Sequence, residues 1–67
     1  MSIVKVIEVI ASSPKGWDDA AENAVKEASK TIKDIKHFYV ESQTAVVKNG
    51  KISEYRINGK ISFVVGD

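Results

Sequence analysis

The side chains with the most chemistry to offer lie between His37 and Ser62. Asn49-Gly50 marks a two-residue turn there, since both residue types tolerate the positive φ values of a type I′ hairpin, and counting outward from it pairs the flanking strands. Val47 then faces Ile52, Ala45 faces Glu54, Gln43 faces Arg56, Glu41 faces Asn58, Tyr39 faces Lys60 and His37 faces Ser62, all on one side of the sheet. An imidazole, a phenol, two carboxylates, two amides, a guanidinium, an ammonium and a hydroxyl share that face, which continues toward the turn as the apolar trio Ala45, Val47 and Ile52. A solvated face has no need of that trio. A surface between subunits does, and a mixed polar and apolar lining also suits a small-ligand cleft. Arg56 is built to grip a carboxylate or phosphate with two parallel hydrogen bonds. Its plainer use is an ion pair with Glu54 on its own strand or with Glu41 diagonally across the ladder. For His37 the plainer reading is an exposed strand residue.

His37 and Arg56 are too far apart to act together within one chain. His37 lies opposite Ser62, six residues along the strand from Arg56, which at the strand rise is roughly 20 Å. A small ligand touching both must therefore take them from different subunits.

Other chemistries are weakly supported. Asp18, Asp19 and Glu22 place three carboxylates at the positive end of a helix, where the macrodipole alone accounts for them; a hard cation such as calcium is the alternative. Ser12, Ser13 and His37 have no spacing that specifies a nucleophile and its base. The four glycines are scattered, so no phosphate loop is present. The chain does not read as an enzyme.

The elements that position these residues are few. Ile3 to Ala11 is a β-rich run with Ile3, Ile7 and Val9 on one face and Val4, Val6 and Ile10 on the other. A strand apolar on both faces is ordinarily covered on both, yet one helix can cover only one. Ser13 and Pro14 form a helix-start signal, as cap and first helical residue, with the regular helix beginning nearer Trp17 because Gly16 weakens the first turn. Trp17, Ala20, Ala21, Ala24, Val25, Ala28, Ile32 and Ile35 then recur at helical spacing. In the hairpin, Phe38, Val40, Ser42, Thr44 and Val46 share the core side with Ser53, Tyr55, Ile57, Gly59, Ile61 and Phe63. Gly59 marks a bulge or a close approach in the last strand, a gap that Trp17 is placed to fill. With the first strand up and the helix returning, an all-antiparallel sheet needs the third strand in the middle. The predicted fold is α+β, a β-α-β-β chain with strand order 1-3-2 wrapped on one helix, and residues 1–67 form one domain.

Length and charge complete the picture. A core built from 67 residues is near the lower limit of self-sufficiency. With no cysteine and a single histidine, disulfides, thiolate zinc sites and clusters of imidazoles from one chain are excluded. Self-association is the remaining support. Ten basic against nine acidic residues, with no block of like charge, provide no field for nucleic acid or an anionic membrane. No apolar run is long enough to span a bilayer and the N-terminus lacks a signal-peptide layout, so a soluble, cytoplasmic protein is expected.

The order strand, helix, hairpin, with Ser12-Ser13-Pro14, Gly16 and Trp17, the alanine-rich stripe ending at Thr31-Ile32, the Phe38 and Val40 pair and the closing Ile61-Ser62-Phe63, resembles the dodecins over nearly the whole chain. The resemblance implies twelve copies in a hollow shell of cubic symmetry, a homododecamer, in which flavin-binding members hold flavins such as FMN or riboflavin at two-fold axes. In those members a tryptophan stacks on the ring system and a glutamine meets its pyrimidine edge; here His37 and Arg56 stand in those places. Histidine offers less stacking area, and arginine can only donate where glutamine both donates and accepts. A buried flavin N3-H left without an acceptor costs about 1 to 3 kcal/mol, or roughly one to two decades in affinity. Tyr55-Arg56-Ile57 and Ile61-Ser62-Phe63 are similar to a flavinless, calcium-associated branch. Two functions follow. The first is a non-enzymatic shell that binds or stores flavin or a related anionic molecule at inter-subunit clefts lined by His37, Tyr39 and Arg56. The second is a flavinless structural or calcium-binding shell in which Arg56 is paired to Glu41 or Glu54.

Overall fold

A computed structural model describes residues 3–66. The elements run β1 (Ile3–Ser13), α1 (Trp17–Ala28), β2 (Ile35–Lys48) and β3 (Lys51–Val65). All strand pairs are antiparallel and the order is β1-β3-β2, the arrangement that strand direction required. Asn49 and Gly50 both take positive φ, 53° and 75°, as the tight hairpin turn demands.

The core centres on the middle of β3, under the helix. Ile57 and Ile61 are 2% and 0% exposed, and Ala20 of α1 is fully buried as well. Between the two isoleucines, Gly59 lets β2 come close: a side chain there would press into the Tyr39 carbonyl oxygen and the Phe38 ring, 2.6 Å from its Cε1. The gap above Gly59 is thus filled by Phe38 and not by Trp17. The Trp17 ring instead packs edge-on against Tyr55, with centroids 4.9 Å apart, and its Nε1 donates to the Thr44 carbonyl at 2.9 Å. These contacts fasten the start of the helix to both strands of the hairpin.

Ser13 and Pro14 act outside the helix and not as its cap and first residue. Gly16, extended at φ 165°, is the cap position and no side chain caps it. The Ser13 hydroxyl accepts from the Lys15 N–H at 3.0 Å and donates to Asp19 Oδ2, so the serine closes a local turn and reaches into the first turn of α1 from outside. The far end of the helix also departs from its apolar periodicity. α1 stops at Ala28, the Ile32 N–H bonds back to the Ala28 carbonyl at 2.9 Å, and Ile35 already belongs to β2. Asp34, at φ 61°, reverses the chain between them. The apolar spacing runs on because Ile32 and Ile35 cover the same core from a turn and a strand.

The hairpin register holds at the turn and again from Val40 to His37, slips in the middle, and shifts once more at Lys36, an extra residue of β2 between Ile35 and His37. Val47 pairs with Ile52, Tyr39 with Lys60 and His37 with Ser62, as counted from the turn, but Ala45 faces Tyr55, Thr44 faces Arg56 and Gln43 faces Ile57. Two bulges cause this: Ser53 is an extra residue on β3 and Glu41 an extra residue on β2, and the second cancels the first. The Ser53 hydroxyl donates to the Val46 carbonyl at 3.3 Å across the first of them. In consequence Ser42, Thr44 and Val46 change sides relative to the sequence-based pairing. Ala45, Val47 and Ile52 leave the outward face and lie on the side of the sheet that carries Tyr55.

Candidate functional site

β3 carries Glu54, Arg56, Asn58, Lys60 and Ser62 on the face turned away from the helix. β1 adds Val4, Val6, Glu8, Ile10 and Ser12 to that face, and β2 adds His37, Tyr39, Ser42, Thr44 and Val46. The three residues singled out by sequence, His37, Tyr39 and Arg56, all emerge here, and all are exposed. They do not converge. Tyr39 sits in the row of Lys60, His37 in the row of Ser62, and Arg56 four and six residues away along β3, or roughly 13 and 20 Å at the strand rise.

Arg56 has found a partner on its own strand. Its Nε donates to Glu54 Oε1 at 3.0 Å, with the two side chains 51% and 38% exposed. Glu41, the other partner considered, lies 3.9 Å from the Lys60 ammonium. The register slip hid one feature of this place: Ser12 and Thr44 flank Arg56 in the same row, from β1 and β2. Only the bulge at Ser53 brings Thr44 opposite Arg56, so no count from the turn would have found it. His37 is engaged through its backbone, its carbonyl accepting from Ser62 Oγ at 3.5 Å.

Neither set of residues makes a complete ligand site within one chain. At the two positions where flavin-binding dodecins are expected to carry a stacking ring and an edge-reading amide, this chain has an exposed imidazole and a guanidinium bonded to a carboxylate, which are a poor chemical match for that cofactor. For a cation, Asp19 is occupied by the Ser13 hydroxyl and, at 3.3 Å, the Asn23 amide. Among the described residues no three carboxylates or imidazoles gather as metal ligands would.

What the outward face does offer is bare apolar surface. Val4, Val6 and Ile10 are 61%, 55% and 73% exposed, while Ile7 and Val9 on the opposite side of β1 are partly covered by the helix. Three buried apolar residues among those described are a thin core for such a sheet. An open row of this kind is what a second subunit covers. Among the described residues, no helix is long and apolar enough to cross a membrane.

Comparison with known proteins agrees with this architecture. A family model described as Dodecin matches residues 3–66. The chain is 44% identical over 64 residues to the calcium dodecin of Mycobacterium tuberculosis (strain ATCC 25618 / H37Rv), a match covering 94% of this chain and 89% of that protein. Among solved structures it superposes on dodecin from Streptomyces coelicolor with a TM-score of 0.93 at 29% identity, covering 98% of this chain and 94% of the other. The crystal structure of the M. tuberculosis calcium dodecin, described as having a novel calcium-binding site, matches with a TM-score of 0.81 at 40% identity, covering 91% and 87%.

Proposed function

Since this chain belongs to the dodecin family, we propose that it works as a non-enzymatic assembly of its own copies, a homododecameric shell, whose ligand is calcium or a similar cation and not a flavin. The observation that carries this choice is the state of Arg56. Where a flavin would need an acceptor for its N3-H, this chain presents a guanidinium bonded to Glu54, and the resemblance to a relative named calcium dodecin points the same way. The thin core and the exposed row Val4, Val6 and Ile10 support assembly. Cation ligands then come from carboxylates of different copies, since one chain gathers no such set among its described residues.

Native mass with and without chelator, together with flavin titration, tests the proposal. A large oligomer that shrinks on chelation, recovers with calcium and leaves riboflavin and FMN fluorescence unquenched at micromolar protein is the expected result. Indifference to chelator overturns the cation part, and strong quenching overturns the choice against flavin. The double variant Arg56→Gln, His37→Trp is the positive control, because it supplies the acceptor and the stacking surface that the chain lacks.

A second reading keeps the outward face as a cleft for an anionic small molecule, lined by His37, Tyr39 and Arg56 of neighbouring copies. It is favoured by the bonding of Arg56, which among the described residues uses Nε alone and leaves the terminal nitrogens for a carboxylate or phosphate.

A further inference from the structure

The far end of the hairpin is the least supported part of the molecule. β1 stops pairing at Ser13, opposite Tyr55, so the ribbon from Val46 to Glu54 has no third strand beside it. A bare two-stranded ribbon is marginal in water. Val47 and Ile52, paired across it, are 64% and 48% exposed, and Lys48 and Lys51 form the next pair outward. The tip therefore offers two apolar side chains flanked by two ammonium groups.

A surface of complementary character lies elsewhere on the same chain. Between α1 and β2 an open groove of about 530 Å³ has Ala21, Val25 and Phe38 for its apolar lining, with Asp18, Glu22 and Lys26 along it. Neither Asp18 nor Glu22 takes part in an ion pair among the described residues. A second groove, between α1 and β1, offers only Glu27 as an acid, and Glu27 is already held by Lys30 at 3.1 Å. Charge therefore selects the first groove for a lysine-bearing tip. The chain's own tip is not the occupant, because β2 runs extended from Phe38 in the groove to Val47 at the tip, a separation of roughly 30 Å.

We propose that the hairpin tip of one copy seats in the α1/β2 groove of another. Val47 and Ile52 lie against Ala21, Val25 and Phe38, while Lys48 and Lys51 meet Asp18 and Glu22. The inference rests on the reading that the chain assembles with itself. Because tip and groove are different surfaces, the contact runs head to tail.

The absence of native cysteine makes the contact directly testable. Val47→Cys and Ala21→Cys chains, each with a single thiol, are assembled together and oxidised; the expected main product is the mixed disulfide dimer, which no single chain can form. Ala28→Cys places the thiol in the other groove, and preferential linkage of Val47→Cys to that chain overturns the assignment. Reversal of the tip charges with Lys48→Glu and Lys51→Glu is expected to lower the native mass at low salt, and adding Asp18→Lys and Glu22→Lys to restore it. A wild-type protein that sediments as a monomer overturns the assembly reading itself. An assembled wild type in which Val47→Cys fails to link to Ala21→Cys overturns the tip-in-groove contact alone.

Discussion

The two faces of the sheet are built to different standards. On the helix side, Ile57, Ile61 and Ala20 are closed off from water and Gly59 admits β2 to close contact with β3. On the other side, Val4, Val6 and Ile10 stand open on β1 beside a row of charged and hydroxyl groups on β3 and β2. In the assembly proposed above, the closed residues of the first side set whether the subunit folds, and the open row Val4, Val6 and Ile10 helps to set whether subunits stay together.

Substitutions on each side sharpen or break this contrast. The largest change in subunit stability is expected for Ile61→Ala, about 2 to 5 kcal/mol from lost burial and the cavity left behind, read as a lower midpoint in denaturant melts. A smaller loss, about 1 to 3 kcal/mol, is expected for Gly59→Ala, because the added methyl group meets the Tyr39 carbonyl and the Phe38 ring; an unchanged melt would mean that β2 can move away freely. Ile10→Asp is expected to have the smallest effect on the subunit, since Ile10 is 73% exposed there, while sedimentation shows the assembly dissociating. If Ile10→Asp left the native mass unaltered, the open face would not be an interface and the division between the two sides would collapse.

Much of the fold could be read from residue types because local and global signals agreed. Asn49-Gly50 fixed the turn, alternation fixed the strands, and strand direction alone placed β3 in the centre. Of the two readings a strand glycine allows, bulge or close approach, Gly59 takes the second, and its neighbour is Phe38 and not Trp17, because the identity of a neighbour depends on register. Ser13 departs from the expected cap because serine hydroxyls close turns as readily as they cap helices, and here the turn has the bond. Of the site, the outward placement of His37, Tyr39 and Arg56 and the Arg56–Glu54 pair were visible in the sequence, whereas the Ser12 and Thr44 flanks of Arg56 were not. A bulge has no residue signature of its own at Ser53 or Glu41, so the segment between them could not be assigned to the correct face by counting.

That pair of extra residues has a consequence for how the chain tolerates change in length. Glu41 and Ser53 each stand outside the pairing of the residues around them. Losing either one alone would close its own bulge and leave Thr44 opposite Arg56 and Ala45 opposite Tyr55. Losing Thr44 instead would draw Glu41 into the ladder and turn Ser42 and Gln43 to the opposite sides of the sheet. A one-residue deletion in this hairpin should therefore be tolerated best at the two extra residues.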